Sequence, residues 1–239
     1  MRLRRLATVT MAVASLVLPS AAPALAAGSP GYALLKTTNH VVIRWNPCAP
    51  IRYKVNLTHA PRGSMAEVKK AIALLHKATG MTFVYEGQTG VIPQGNYGLK
   101  STPGHWPVMT IAWAAPGKGK GTSNALVTRD VGVGGVFYNQ WLDAQGNLHP
   151  LQVVSAMVVM NDQYNKSYKV GFGAGRTQGA ALLHELGHAV GLQHVNDTGQ
   201  LMYPVILARA KAAYGKGDLA GLAKVGRKAG CINPRPFNP

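Results

Sequence analysis

The chain has 239 residues, of which 47% are hydrophobic and 14% are charged, and its formal net charge at pH 7 is +17. This apolar content is sufficient for a core, so it excludes a wholly disordered polypeptide and predicts a globular fold. The basic residues are spread along the sequence without a nucleic-acid-binding motif, so we expect no nucleic-acid partner. The charge favours anionic cell-wall or surface polymers as partners, although a solvated, solubility-giving surface explains it equally well.

The N-terminal residues are typical of an export signal. Arg2, Arg4 and Arg5 precede an apolar stretch at 6–18, and small residues at 24–26 provide a cleavage site. The apolar stretch is too short to span a membrane, and no other apolar run reaches the required length. We therefore expect a secreted, extracellular monomer in which a signal peptide (1–26) and a lead segment (27–43) precede one folded domain (44–239).

The predicted elements of this domain follow in chain order. Alternating apolar positions predict a strand at 51–56, and Ser64 with Glu67 forms a capping box for a helix over about 65–79. Further strands are predicted at 81–85, at 108–114, at 132–139 as an irregular edge strand, and at 153–160 as a buried strand. Helices are predicted at about 177–190 and, capped by Asp218, at 219–228. This order predicts a single α+β domain.

The two cysteines, Cys48 and Cys231, lie near the beginning and the end of the predicted domain. In an exported chain an even number of cysteines favours a disulfide, which would join these two regions. The alternative is a thiolate that binds a metal ion and holds an enzyme latent.

The sequence HELGHAVGLQH occupies residues 184–194. His184 and His188 are four residues apart, so on a helix their imidazoles project from one face and can converge on one ion. Gly191 allows the chain to leave the helix, and the turn brings His194 back as a third nitrogen ligand. Three protein ligands leave one tetrahedral position open, which is typical of catalytic rather than structural Zn²⁺.

Glu185 lies beside the first of these histidines and is not needed as a ligand. Zinc lowers the pKa of a bound water to about 7. Glu185 is then placed to accept the proton of this water as it attacks a peptide carbonyl, and to donate the proton to the leaving amine. We therefore predict Zn²⁺ as the cofactor, with Glu185 as the general base of peptide hydrolysis.

HELGHAVGLQH resembles the HExxHxxGxxH signature of the metzincin zinc peptidases, and LMYP at 201–204 is similar to their Met-turn. The combination is most similar to the matrixins, the matrix-metalloproteinase-like family. The resemblance implies a metzincin-like catalytic domain with a twisted, mostly parallel sheet, an active-site helix and a C-terminal helix. It implies that Met202 lies beneath the metal, and that Tyr203, Pro204 and Val205 help to form the pocket for the residue after the scissile bond.

The sequence also departs from this family. Val195 follows the third histidine where matrixins usually have serine, and no propeptide with a cysteine switch is present. The chain has only eight acidic residues, which are scattered, so we expect no ancillary calcium or zinc site. The resemblance further implies that an extended substrate pairs antiparallel with an exposed strand, for which residues 132–138 are the candidate.

These observations favour a secreted zinc-dependent endopeptidase that acts on proteins or peptides. Two alternatives stay open: a zinc hydrolase acting on cell-wall peptides, which the positive charge would suit, and a basic cell-surface binding protein with a structural zinc site. Glu185 argues against the second alternative, because a structural site needs no base.

Overall fold

A mostly parallel β-sheet organises the fold. The computed structural model describes residues 8–15, 31–95, 108–140, 152–165 and 167–232. The strands of the main sheet are β1 (Thr8–Ser15), β3 (Ile51–Asn56), β4 (Phe83–Gln88), β5 (Val108–Pro116), β6 (Thr122–Ser123), β7 (Gly132–Gln140) and β8 (Gln152–Asn161). They lie in the order β1-β7-β8-β5-β3-β4, with β6 beside β5. Strand β7 runs antiparallel to both of its neighbours, whereas β8, β5, β3 and β4 are parallel.

The helices pack against this sheet. They are α1 (Ser64–Thr79), α2 (Asp162–Asn165), α3 (Gln178–Ala189) and α4 (Lys216–Val225), followed by a 3-10 helix at Arg227–Ala229. Helix α3 contacts α1, β7 and β8, and all of its residues are buried. A small second sheet pairs β2 (Ala33–Leu34) with β9 (Leu192–Gln193) and fastens the lead segment to the chain after α3.

The apolar pattern explains the central elements. Strand β8 is buried at every position after its first residue, as expected of a strand covered on both faces. In α1, Val68, Ile72 and Leu75 are buried at helical spacing and join the same core. These elements confirm the predicted α+β architecture with a mostly parallel sheet, an active-site helix and a C-terminal helix. No described helix is both long and apolar enough to cross a membrane.

The helix caps differ from those predicted: Ser64 does not cap α1, whereas Asp218 caps α4 from its third position by accepting the Gly215 N–H at 2.9 Å. Helix α1 is preceded by Gly63 in the left-handed conformation, without a side-chain cap. The Ser64 hydroxyl instead donates to the carbonyl of Pro61 at 2.7 Å, and Glu67 is buried and accepts a hydrogen bond from the Gly171 N–H at 2.5 Å. Helix α4 begins at Lys216, so Asp218 lies within its first turn and does not precede it.

The sequence predicted that β7 lies at the edge of the sheet, but in the structure β1 lies beyond it. Residues Thr8 to Ser15 pair with it along its whole length, from Thr8 opposite Gln140 to Ser15 opposite Val133. This partner lies within the predicted signal peptide, whose predicted cleavage site at 24–26 is outside the described residues. A chain cleaved there would lose β1, and β7 would become the edge strand.

A disulfide closes the domain, as predicted. Cys48 and Cys231 are bonded, with their Cα atoms 5.4 Å apart and 183 positions between them in sequence. Nearby, Asn46 donates through its amide to the carbonyl of Ile232 at 2.9 Å, and Arg44 donates to the carbonyl of Gly230 at 2.9 Å. The chain has two cysteines and both are in this bond, so neither supplies a thiolate to a metal.

Candidate metal centre and active site

The three histidines of the HELGHAVGLQH sequence converge. His184 and His188 project from α3, and His194 follows the turn after it. Gly191 forms this turn with a φ of 103°, a left-handed conformation that is costly for other residues. The Nε2 atoms of the three histidines are 3.1 Å apart in every pair. They form the one group of three or more His, Cys, Asp or Glu side chains in the described chain that could hold a metal ion.

Backbone carbonyls fix the tautomers of two of these histidines. The Nδ1–H of His184 donates to the carbonyl of Leu201 at 2.7 Å, and that of His188 donates to the carbonyl of Leu192 at 2.9 Å. A carbonyl oxygen can only accept, so the Nε2 atom of each neutral ring carries a lone pair. Lone pairs that point at one another repel unless a cation lies between them. The donor set therefore fits a metal ion.

The size of the triangle also fits zinc. The centre of an equilateral triangle with 3.1 Å sides lies 3.1/√3, or about 1.8 Å, from each corner. Zinc binds imidazole nitrogen at about 2.0–2.1 Å, so the three nitrogens are close enough together that they would hold one zinc ion.

The surroundings keep these histidines neutral. Burial, with the neighbouring His194, lowers the pKa of His184 to about 3. Burial and the two other rings lower the pKa of His188 well below its usual value, and burial lowers the pKa of His194 to about 4. A neutral imidazole is the form that binds a metal, so the site is ready for one at neutral pH.

Glu185 is buried beside strand β7. A Cβ atom placed on Gly132 would lie 2.8 Å from the Glu185 Cγ, so this glycine leaves room for the side chain. Burial and the nearby carboxyl group of Asp130 raise the pKa of Glu185 well above its usual value. Its carboxyl oxygens make no regular hydrogen bond, although the nearby N–H of Gly134 partly opposes the rise in pKa. Burying a carboxyl group without a regular hydrogen bond costs free energy, and the positive charge of a metal ion would offset this cost.

The Met-turn lies directly below α3. Met202 is buried, and a Cβ placed on Gly187 would lie 2.5 Å from its sulfur. A larger residue at position 187 would displace the methionine. Met202 therefore packs against α3 at Gly187, next to His188 in sequence, and its place beneath a metal ion stays a prediction.

Asp218 holds the Met-turn, a role that the sequence did not indicate. This buried carboxylate accepts hydrogen bonds from the N–H groups of Leu201 at 2.6 Å, Met202 at 3.4 Å and Gly215 at 2.9 Å. The carbonyl of Leu201 in turn accepts from His184. The scarcity of acidic residues could have drawn attention to Asp218, which is one of only eight. Its partners Met202 and Leu201 lie 16 and 17 positions away in sequence, however, so the sequence did not indicate the contact.

A cavity of about 440 Å³ lies next to the Met-turn. Tyr203 and Val205 are among its lining residues, together with Ile206, Leu207 and Tyr214, whereas Pro204 is not. The Tyr214 hydroxyl donates to the carbonyl of Leu183 in α3 at 2.8 Å, which connects this wall to the metal-binding helix.

Comparison with known proteins gives one family. The family model described as matrixin matches residues 157–225, which run from β8 to the end of α4 and include the histidines and the Met-turn. Among solved structures, metalloproteinase-II from Bacteroides fragilis is similar, with 12% identity and a TM-score of 0.40. The match covers 83% of this chain and 59% of that one, so this chain spans less than two thirds of that protein's length. No curated protein sequence matches.

The matrixin match coincides with the part of the chain that carries the metal centre. It supports a metallopeptidase, and the matrixin family is zinc-dependent. The chain is therefore similar to the matrixins over the region that carries the three histidines, and the match supports a matrixin-like protein.

Proposed function

We propose that this protein is a secreted zinc-dependent endopeptidase that hydrolyses proteins or peptides. One observation carries the proposal: three neutral imidazole nitrogens 3.1 Å apart are accompanied by a fully buried carboxyl, without a regular hydrogen bond, on the residue after the first ligand. A binding protein with a structural zinc site gains nothing from such a carboxyl, which costs roughly 1–3 kcal/mol or more to bury unsatisfied. A peptidase, in contrast, needs a carboxylate beside the metal to act as its general base.

The residues have separate roles in this proposal. His184, His188 and His194 hold Zn²⁺. Bound zinc supplies a water of lowered pKa and an electrophile for the substrate carbonyl. Glu185 accepts the proton of the attacking water and delivers it to the nitrogen of the leaving amine. Burial and Asp130 raise the pKa of Glu185, and the charge of a bound cation would oppose this rise and favour the ionised form that can accept a proton.

Strand β7 is the proposed substrate-binding strand. It packs directly on the metal-binding helix, since a Cβ on Gly134 would overlap the carbonyl of Glu185 and lie 2.8 Å from the His188 Cβ. The pairing of β1 with β7 supports this role, because it demonstrates that the outer side of β7 accepts an antiparallel strand. Removal of the predicted signal peptide would free that side for an extended substrate.

The cavity beside the Met-turn is the proposed pocket for the residue after the scissile bond. Tyr203 and Val205 contribute to its wall. Pro204 does not line it, so we assign that residue to the turn geometry alone.

The test of this function is substitution of the proposed base. Glu185→Gln keeps the size of the side chain but removes its basicity, so we expect it to retain zinc and to lose at least about 100-fold in casein or quenched-peptide hydrolysis. The matched control is Glu86→Gln on the surface, which should remain active. Equal activity of Glu185→Gln and the unmodified enzyme would refute the mechanism. Release of cell-wall peptides without casein cleavage would favour the cell-wall hydrolase instead.

A further inference from the structure

The acidic residues do not balance the basic ones at the surface. Of the seven acidic residues that the structure describes, four are buried: Glu67, Asp130, Glu185 and Asp218. In the part of the chain that the structure describes, Glu86 is paired with Arg52 at 2.9 Å, and this is the one ion pair found there. Among the residues that the structure describes, most basic side chains therefore have no carboxylate partner.

One exposed face collects several of these cations. On α1, Lys69, Lys70 and Lys77 are all exposed and fall within about 100° of the helix circumference. The 3-10 helix adds Arg227 and Lys228 at the C-terminal end of α1, where a Cβ on Gly80 would lie 3.0 Å from the Arg227 Cβ. We call these five residues the α1 cationic face.

Helix energetics alone do not account for this arrangement. Cations in the last turn of a helix are favoured by its dipole, which explains Lys77. This effect falls off within one turn, and Lys69 and Lys70 lie in the middle of the 16-residue helix. The acidic residue of α1, Glu67, faces inward, so no carboxylate on the helix offsets their repulsion. An external polyanion would remove this repulsion.

From this distribution of charge we propose that the α1 cationic face binds a linear phosphate polymer through its phosphate groups alone. Lysine ammonium groups are hydrated point charges, which suit phosphate contacts without a fixed geometry. Lys70 and Lys77 are separated by about 10.5 Å along the helix axis, so a flexible chain can bridge them. Neither α1 nor the 3-10 helix contains Phe, Tyr or Trp, and the Nδ1 of the exposed His76 in α1 is bonded to the Met81 carbonyl at 2.7 Å. The ring of Phe172 is covered by Lys70, whose Nζ lies 4.8 Å from the ring centre. Beside the lysines the face therefore offers one imidazole and no Phe, Tyr or Trp ring for base stacking, which favours contacts to phosphate over contacts to bases.

This inference goes beyond the proposed peptidase function and does not depend on it. None of the five residues belongs to the metal centre or to β7. Binding there would hold the protein at a phosphate-rich surface while leaving the substrate strand free.

The test compares two triple variants that lose the same net charge. The first is Lys69→Gln, Lys70→Gln and Lys77→Gln on the face; the control is Lys36→Gln, Lys118→Gln and Lys120→Gln, all exposed and elsewhere. Affinity for labelled inorganic polyphosphate is measured over a range of salt concentrations. The face variant should bind at least about tenfold more weakly, and the slope of log K against log salt should fall by about 2, since each phosphate contact contributes about 0.7. The control should change less than about twofold.

Three results would overturn the proposal. They are the absence of polyphosphate binding by the unmodified protein at low salt, equal weakening in both variants, and tighter binding of single-stranded DNA than of polyphosphate of the same charge. Hydrolysis of a neutral peptide is measured in parallel. If peptidase activity is absent but the face variant loses affinity for polyphosphate, the proposed function fails and the binding surface stands. If peptidase activity is present but the face variant keeps its affinity for polyphosphate, the binding surface fails and the proposed function stands.

Discussion

The imidazole of His184 is connected to Asp218 through one peptide group of the Met-turn. Asp218 accepts the N–H of Leu201, whose carbonyl accepts the Nδ1–H of His184. Groups that hydrogen-bond to metal ligands fix the ring orientation and raise the basicity of the coordinating nitrogen. Asp218 would thus position the His184 ring for the proposed metal, although it lies in the helix after the Met-turn.

We predict that Asp218→Asn weakens zinc binding by about 10–100-fold. The amide keeps one acceptor oxygen but turns an NH₂ group toward backbone N–H donors that the carboxylate had satisfied. Zinc affinity is measured by competition with a chelator, and the exposed Asp197→Asn is the control. If Asp218→Asn lowers the melting temperature but leaves the zinc affinity unchanged, Asp218 stabilises the fold and does not position a zinc ligand.

The lowered histidine pKa values predict how zinc binding depends on pH. Protons compete with zinc only when they bind the free site, and the pKa values of His184 and His194 are about 3 and about 4, well below the usual 6.5. Falling pH should therefore leave zinc affinity almost unchanged from pH 7 to about 5, and affinity should be lost as the pH passes below about 4. Ordinary histidines would begin to lose zinc at about pH 6.5.

This measurement is best made in the Glu185→Gln variant. Glu185 has a raised pKa, so zinc binding to the unmodified protein also releases its proton and adds a second pH dependence. A steep loss of affinity in the variant already between pH 6.5 and pH 5 would contradict the burial of the histidines.

At the scale of elements, the metal centre depends on how closely β7 approaches α3. Position 134 has no room for a side chain, because a Cβ there meets the backbone carbonyl of Glu185. Backbone cannot move aside as the end of a flexible side chain can. The spacing between strand and helix is therefore set by this glycine.

Gly134→Ala should push β7 away from α3. We expect a fall in melting temperature together with weaker zinc binding, measured by calorimetry and chelator competition. Gly173→Ala is a suitable control, because no atom lies within 4 Å of a Cβ at that position and its φ is not in the left-handed region. Unchanged stability and zinc affinity in Gly134→Ala would indicate that the strand and helix do not pack as described.

Elements with a strong local pattern could be predicted from the sequence. The helix expected at about 177–190 is α3 at Gln178–Ala189, and the buried strand expected at 153–160 is β8 at Gln152–Asn161. Features that depend on partners distant in sequence could not be predicted in this way. Glu67 bonds Gly171 rather than capping its own helix, because a buried donor more than 100 positions away competes for its carboxylate. The pairing of β1 with β7 is likewise non-local and left no signal in either segment.

At the scale of the whole molecule, the ends of the domain are tied to the metal-binding helix. The disulfide between Cys48 and Cys231 closes a loop of 183 positions, which on a chain-entropy model stabilises the fold by about 5 kcal/mol. On the same side, the Trp45 indole donates to the carbonyl of Ala189 at the end of α3 at 2.8 Å. The metal centre thus rests on a frame that joins the first and last parts of the folded domain.

The ligand set of the intact protein tests the central claim most directly. X-ray absorption at the zinc edge, on protein reconstituted with one equivalent of zinc, reports the type and distance of each ligand. We predict three imidazole nitrogens at about 2.0–2.1 Å, one further oxygen and no sulfur. A sulfur ligand at about 2.3 Å, or fewer than three imidazoles, would contradict a catalytic centre formed by His184, His188 and His194.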